Sequence, residues 1–166
     1  KLQNGNVWRQ KLYFKMKKSR KIIKRIAYCF LAIAILLNLI WNSITCLNVE
    51  PACEYINSHA LEESHGRAAW HVLGALNAGG KDMILVPAWA YKYYLYISDF
   101  DYVEDYTHYV PEKGDIVVFP MTWKHPLGHI AIWNGKQWVS DYKQKSIYID
   151  EDYKGVEYIV YRNVFK

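Results

Sequence analysis

Three short stretches hold the setting of nucleophilic catalysis, all but the nucleophile itself. Ser64-His65-Gly66-Arg67-Ala68-Ala69 leads into an apolar helical pattern, Gly128-His129 opens the run Ile130-Ala131-Ile132-Trp133, and Asp141 follows Trp138-Val139-Ser140. A helix N-terminus presents free backbone N–H groups and the positive end of its dipole, which favour a thiolate and later cradle an oxyanion. A base comes from elsewhere in the fold, commonly a histidine at the start of a strand facing the helix tip, and a third polar group orients its ring. His129 and Asp141 fill those two places. Position 68 fills the first, but it holds alanine, which carries nothing that attacks.

The surrounding pattern says which elements would position these groups. Ala69, Val72, Leu73 and Leu76 recur at helical spacing, so a helix is expected from about Glu62 or Ser64 to Asn77, stopped by Ala78-Gly79-Gly80. Leu47 to Ser58, which contains Pro51, reads as a junction. Pro87 to Ile97 reads as a second aromatic segment, helical from about Ala88, and Asp99 to Pro111 as acidic, tyrosine-rich and irregular. From Gly114 the pattern turns to strands: Ile116 to Phe119, His129 to Trp133 and Gln137 to Tyr142, the last two joined by the hairpin signal Asn134-Gly135. Ser146 to Ile149 and Tyr158 to Val164 are expected to extend the sheet. Helices followed by an antiparallel sheet predict an α+β domain, and no internal repeat interrupts it.

The charge distribution bounds the partners. The chain has 166 residues and a formal net charge of +5, but ten of its 21 Lys and Arg precede Ile26, and no acid does. The remainder carries eleven basic residues against sixteen acidic ones. Nucleic-acid binding needs clustered basic residues on the folded domain, so that class is excluded. The basic tail, residues 1–25, runs into an uncharged stretch, residues 26–49, of the length a bilayer-spanning helix requires. Dense positive charge on the N-terminal side directs residues 50–166 out of the cytoplasm. Met16-Lys17-Lys18 also reads as the start of a signal peptide, with cleavage near Ser43 to Leu47. Both readings put the folded domain outside the cytoplasm.

The remaining chemistry-bearing residues receive lesser roles. Cys29 reads as a packing residue within the apolar run. Cys46 and Cys53 are spaced to allow a small disulfide loop in an oxidising compartment. Cys53 lacks the helix N-terminal setting of a nucleophile, the missing Cys-x-x-Cys pair gives a structural zinc site little support, and thiol chemistry implies neither a metal nor a cofactor. His59, His65, His71, His108 and His125 read as surface or loop residues, with His65 and His125 placed to line a cleft. The seven Trp and fifteen Tyr suit a glycan-binding groove or, as favoured here, a core.

Several motifs agree in order and spacing with one family. Gly114-Asp115-Ile116-Val117-Val118-Phe119, then His125-Pro126-Leu127-Gly128-His129-Ile130-Ala131-Ile132-Trp133-Asn134-Gly135, then Gln137-Trp138-Val139-Ser140-Asp141-Tyr142-Lys143-Gln144 resemble the CHAP and NlpC-type peptidoglycan hydrolases. Among these the chain is most similar to amidase effectors of the type VI secretion kind used in bacterial antagonism. The resemblance spans about Glu62 to Lys145 and includes Ala78-Gly79-Gly80. It implies a papain-like fold, a helix carrying the nucleophile packed on an antiparallel sheet, and cleavage of an amide in the peptidoglycan stem peptide. Where the family has its cysteine this chain has Ala68, while His129 resembles the base and Asp141 the orienting acid. The resemblance further implies an immunity protein as partner and a periplasmic site of action. The alanine is explained by replacement of a toxic nucleophile, the reading favoured here, or by a natural pseudoenzyme that binds wall peptides uncut.

Overall fold

The computed structural model describes residues 3–164, with the side chains of residues 3–18 and 42–44 outside that description. Most of the basic tail, including the Met16-Lys17-Lys18 signal-peptide start, therefore lies outside the described side chains. The chain divides into two units, residues 1–37 and 38–166.

Helix α1, Gln3–Ile44, accounts for the first unit and runs on into the second. Within it Ser19–Trp41 is long and apolar enough to cross a bilayer, and none of its side chains is buried. Its 23 residues extend about 35 Å at 1.5 Å per residue, against a hydrocarbon core of about 30 Å. Cys29, expected to pack, is exposed on this helix.

The second unit is an α+β fold. Helices α2 (Val49–His59), α3 (Ala68–Ala78) and α4 (Tyr91–Tyr96) precede or interleave with strands β1 (Phe100–Tyr102), β2 (Ile116–Phe119), β3 (His129–Trp133), β4 (Trp138–Val139) and β5 (Ile159–Asn163). The strands form one antiparallel sheet in the order β1-β5-β2-β3-β4. Alternate side chains of β2 and β3 enter two separate cores. Ile116, Val118, Ile130 and Ile132 pack with Ile56, Val72, Leu76, Tyr91 and Leu95 of the helices. Val117, Phe119 and Ala131 face Trp138, Tyr153 and Val160, with Tyr148 and Tyr158 packed around them. Burial on both faces explains why β2 reads as a continuous apolar run rather than an alternation.

Four expectations change. The stretch read as a junction is helix α2, whose Pro51 falls in the first turn, where a missing N–H removes a donor that has no helical acceptor anyway. Phe100–Tyr102 pairs with β5, so the segment read as irregular contributes an edge strand. Ser146 to Ile149 forms no strand: the Ser146 hydroxyl donates to the Tyr148 carbonyl, and Tyr148 packs its ring against Phe119 and Tyr158. Cys46 and Cys53 are both free thiols, the first exposed and the second buried, so the short disulfide loop is absent.

A buried ion pair fastens the start of this unit. Lys81 bridges to Asp99 and donates to the Thr45 carbonyl, with its ammonium fully buried. The Leu47 N–H donates to Asp99 at 3.1 Å, and Asn163 donates to the Leu47 carbonyl at 3.0 Å. Removing one partner strands a charge in the core, so Lys81→Met is expected to lower unfolding free energy by about 3–5 kcal/mol. Denaturant melts of Lys81→Met beside a Lys81→Met/Asp99→Leu double variant check this, and the double variant should recover part of the loss.

Candidate active site

The N-terminus of α3 and the residues leading into β3 line a cleft of about 400 Å³. Gly66, Arg67, Ala68, Ala69 and Trp70 form one wall, and Leu85, Val86, Pro87, Ala88, Leu127 and Gly128 the other. Position 68 therefore lies in the same depression as the residue preceding His129. Trp70, Leu85 and Leu127 stand largely exposed around it, giving an apolar rim.

Two glycines shape this space. Gly66 has φ +70°, and a Cβ there would meet nothing within 4 Å, so the backbone before α3 is open. Gly128 has φ +69°, and a Cβ would approach the Phe119 carbonyl oxygen to 2.6 Å. Only glycine meets both demands at 128. The backbone is thereby free to place His129 as the first residue of β3, opposite Phe119 of β2.

Helix α3 begins at Ala68, later than the sequence pattern suggests, and Asp141 is the reason. Its carboxylate accepts the N–H groups of His65 at 2.8 Å and Arg67 at 3.0 Å, with the Ser64 hydroxyl at 3.3 Å. Its backbone carbonyl accepts the Leu61 N–H at 2.7 Å. Residues 61–67 are thus held as a loop that delivers position 68 to the cleft, instead of joining the helix. Burial opposes ionisation of Asp141, yet the Arg67 and His65 N–H groups and the Ser140 hydroxyl outweigh it and hold the carboxyl below its ordinary value.

His129 is 3% exposed. Its hydrogen-bonding partner is Gln144, whose amide lies 2.6 Å from Nε2. Asp141 reaches the ring only as a charge: burial depresses the imidazole pKa to about 4, opposed by the Asp141 and Asp150 carboxylates and reinforced by His125. Gln144 arrives there because β4 is only two residues long and the chain turns back on itself. Ser140 N–H donates to the Tyr142 carbonyl at 3.0 Å, and Gln144 N–H to the Trp138 carbonyl at 2.9 Å. Nothing in the local pattern of Lys143-Gln144-Lys145 marks that return.

The other histidines take separate places. His125 stacks on Tyr153 with ring centroids 4.9 Å apart, and its Nε2 lies 2.7 Å from Asp150. His65 contributes its backbone N–H, His59 stacks on Tyr55, and His108 is exposed beside Asp105. His71 lies along α3, one turn beyond Arg67, whose carbonyl accepts its N–H. Burial raises the Cys53 thiol to about 11, unsuited to nucleophilic attack. The Gly114-Asp115 motif has a structural task. Arg162 clamps Asp115 through Nε at 2.9 Å and an Nη at 2.8 Å, joining β2 to β5. His125, Asp150 and Asp152 cluster closely enough for a metal, but Lys124 occupies the Asp152 carboxylate at 2.7 Å, so the donor set does not suit a cation.

The His129 pKa fixes a pH dependence. An unfolded imidazole protonates near 6.5, and the folded one only near 4. Between those values the unfolded chain binds a proton that the folded chain refuses. Stability is then highest above pH 6.5 and falls as pH drops toward 4, by up to about 3 kcal/mol. Urea midpoints from pH 7.5 to 4.5 check this, and the slope should be shallower in His129→Asn.

No family model matches the sequence, and no curated protein does. Among solved structures, the native type VI effector–immunity complex Tae3–Tai3 from Ralstonia pickettii contains a similar chain. It has a TM-score of 0.62 and 31% identity, with 70% of this chain and 98% of that chain covered. The selenomethionine form of the same complex gives 0.60 and 31%, covering 67% and 98%. Such identity over nearly the whole of the matched effector settles the relationship: the chain belongs to the Tae3 family of type VI effectors.

Proposed function

We propose that this protein is a peptidoglycan amidase of papain-like architecture, an antibacterial effector whose nucleophile position, 68, holds alanine. The observation that carries the reading is the shared cleft. Position 68 at the N-terminus of α3 and Gly128, the residue before His129 at the start of β3, line one 400 Å³ depression. With cysteine at 68, the thiolate attacks an amide carbonyl of the stem peptide while His129 takes the thiol proton. The tetrahedral oxyanion collapses to a thioester as His129 protonates the leaving amine, and water then hydrolyses the thioester with His129 as base. Asp141 supports this by fixing the loop before position 68.

Residues 1–25 and 26–49 serve on this reading as a basic tail and a membrane-spanning or signal-anchor segment, with residues 50–166 working in the periplasm. The matched structures are effector–immunity complexes, which supports an immunity protein as partner. Mass spectrometry of fragments released from purified walls by Ala68→Cys, with the Ala68 protein as control, tests the function. Absence of any released stem peptide across several wall chemotypes would reject it. Alanine itself favours a second reading, a wall-binding protein that does not cut. On that reading the Ala68 protein sediments with walls and Ala68→Cys still releases nothing.

A further inference from the structure

Four tyrosines that the core does not absorb gather at one edge of the sheet. Among the described residues only Tyr91, Tyr153 and Tyr161 are buried tyrosines, whereas Tyr96, Tyr102, Tyr106 and Tyr158 line a groove of about 550 Å³ together with Glu104 and Ile159. The sheet makes this groove by stopping short. Strand β1 ends at Tyr102, opposite Tyr161 of β5, so the first residues of β5 have no β1 partner on that side. A side chain takes the missing place: the Tyr106 hydroxyl accepts the Val160 N–H at 2.9 Å, and its ring meets the Tyr158 ring edge to face with centroids 5.4 Å apart. Tyr96 and Tyr102 are 66% and 50% exposed, so at least half of each is open. A tyrosine ring is a large contact with few torsions to freeze, apolar on its faces and polar at its tip.

The groove adjoins the catalytic cleft. Trp89 follows Ala88 of the cleft wall, its N–H donates to the Leu127 carbonyl at 3.2 Å, and a Cβ on Gly128 would come within 3.0 Å of the Trp89 Cβ. Trp89 also lines a depression of about 230 Å³ with Lys92 and Glu157, and Tyr158 and Ile159 belong to both that depression and the tyrosine groove. Cleft, depression and groove therefore succeed one another along the surface, which suits a ligand that continues beyond the cleft. Charge selects among such polymers. Lys92, Glu157 and Glu104 give the track one cation against two carboxylates, which opposes a nucleic-acid strand or any other polyanion. A neutral sugar chain fits it, because the C–H face of a pyranose lies on an aromatic ring while its hydroxyl and acetamido groups bond to the phenols, the ammonium and the carboxylates.

We propose that the tyrosine groove is a glycan site: it binds a neutral chain of N-acetylated hexosamines, the strand that bears the stem peptide, and holds the polymer while its peptide branch enters the cleft. The assignment of the chain as a wall glycan rests on the amidase reading; the sugar site itself does not. NMR titration of the full-length Ala68 protein, held in a non-glycosidic detergent, with the β-1,4-linked N-acetylglucosamine tetramer should show saturable binding that shifts the Tyr96 and Tyr102 ring resonances. Tyr102→Ala on β1 and Tyr96→Ala on α4 should each weaken it roughly tenfold, whereas Tyr102→Phe, which keeps the ring, should retain most of the affinity. In the Ala68→Cys background, Tyr102→Ala should reduce the preference for glycan-bearing wall fragments over free stem peptide by a similar factor. Absence of saturable binding overturns the proposal, as does binding that both alanine variants leave intact or shifts confined to the cleft. If Ala68→Cys is inert, the amidase reading fails, and the tetramer titration still decides whether the groove takes a sugar chain.

Discussion

On the proposed function, placing cysteine at position 68 is expected to produce a wall hydrolase, the largest change any single substitution here should produce. The site otherwise offers what thiol chemistry uses. Position 68 is the first residue of an 11-residue helix, whose first-turn N–H groups have no acceptor within the helix and point toward the cleft end. Asp141 takes the N–H groups of His65 and Arg67, so the later ones, from position 68 onward, are those left for an oxyanion. Two electrostatic influences compete on the thiol: the helix terminus lowers its pKa, and the nearby Asp141 carboxylate raises it. On the proposed mechanism His129 decides the balance, because a thiolate close to the ring stabilises the imidazolium that burial disfavours. The imidazole of the Ala68 protein protonates near pH 4, and with a thiol in place it should titrate measurably higher. Alkylation rates of the introduced thiol against pH, compared with His129→Ala in the same Ala68→Cys background, report that coupling. An alkylation profile identical with and without the imidazole would show the two groups to be uncoupled.

Much of the architecture is written in local pattern, and what is not has a nonlocal cause. The apolar runs of β2 and β3, the Asn134-Gly135 hairpin and the Gly79 stop of α3 all appear where the sequence puts them, because each rests on neighbouring residues. Gly135 adopts φ +96°, and the Asn134 side chain accepts the Lys136 and Gln137 N–H groups at 2.9 and 2.8 Å. The start of α3 was not legible. Glu62 and Ser64 are reasonable helix starts, but an aspartate 74 residues beyond Arg67 claims the backbone donors that would join the helix. Helix α2 was legible and is obscured only by Pro51. Its buried Ala52, Cys53 and Ile56 already carry helical spacing, and a first-turn proline does not contradict them.

The candidate site divides the same way. Gly128-His129 and position 68 could be read from strand and helix starts, since a glycine before an apolar strand and a glycine before a helix are local signals. Which side chain the imidazole meets could not. Asp141 and Gln144 are three residues apart, and a strand continuing through Tyr142 would have left Asp141 the better candidate. Because β4 stops at Val139 and the chain folds back through Val139–Lys143 bridging, the two side chains exchange the tasks that simple strand geometry assigns.

This exchange of tasks gives the second large effect its form. In the Ala68→Cys background, His129→Ala should remove about 10²- to 10⁴-fold of turnover, the range that general acid–base catalysis supplies, because on the proposed mechanism the imidazole moves protons in both half-reactions. Its fold should survive at neutral pH, where a buried neutral ring contributes packing and no charge. Asp141→Ala should act differently. Deleting the carboxylate leaves the His65 and Arg67 N–H groups without their acceptor, at about 1–3 kcal/mol for each that stays buried, so the loop before α3 loosens and position 68 drifts from the cleft. Loss of activity should then come with a lower melting point and with faster amide exchange over residues 61–67. His129→Ala, which empties a buried site of its ring, also lowers the melting point but should leave exchange over residues 61–67 unchanged. Steady-state kinetics on a defined stem peptide, thermal melts and hydrogen exchange on the two variants separate a group that transfers protons from one that holds the backbone. A stable, fully protected Asp141→Ala protein with activity lost to the same degree as His129→Ala would place the carboxylate in the proton-transfer machinery instead.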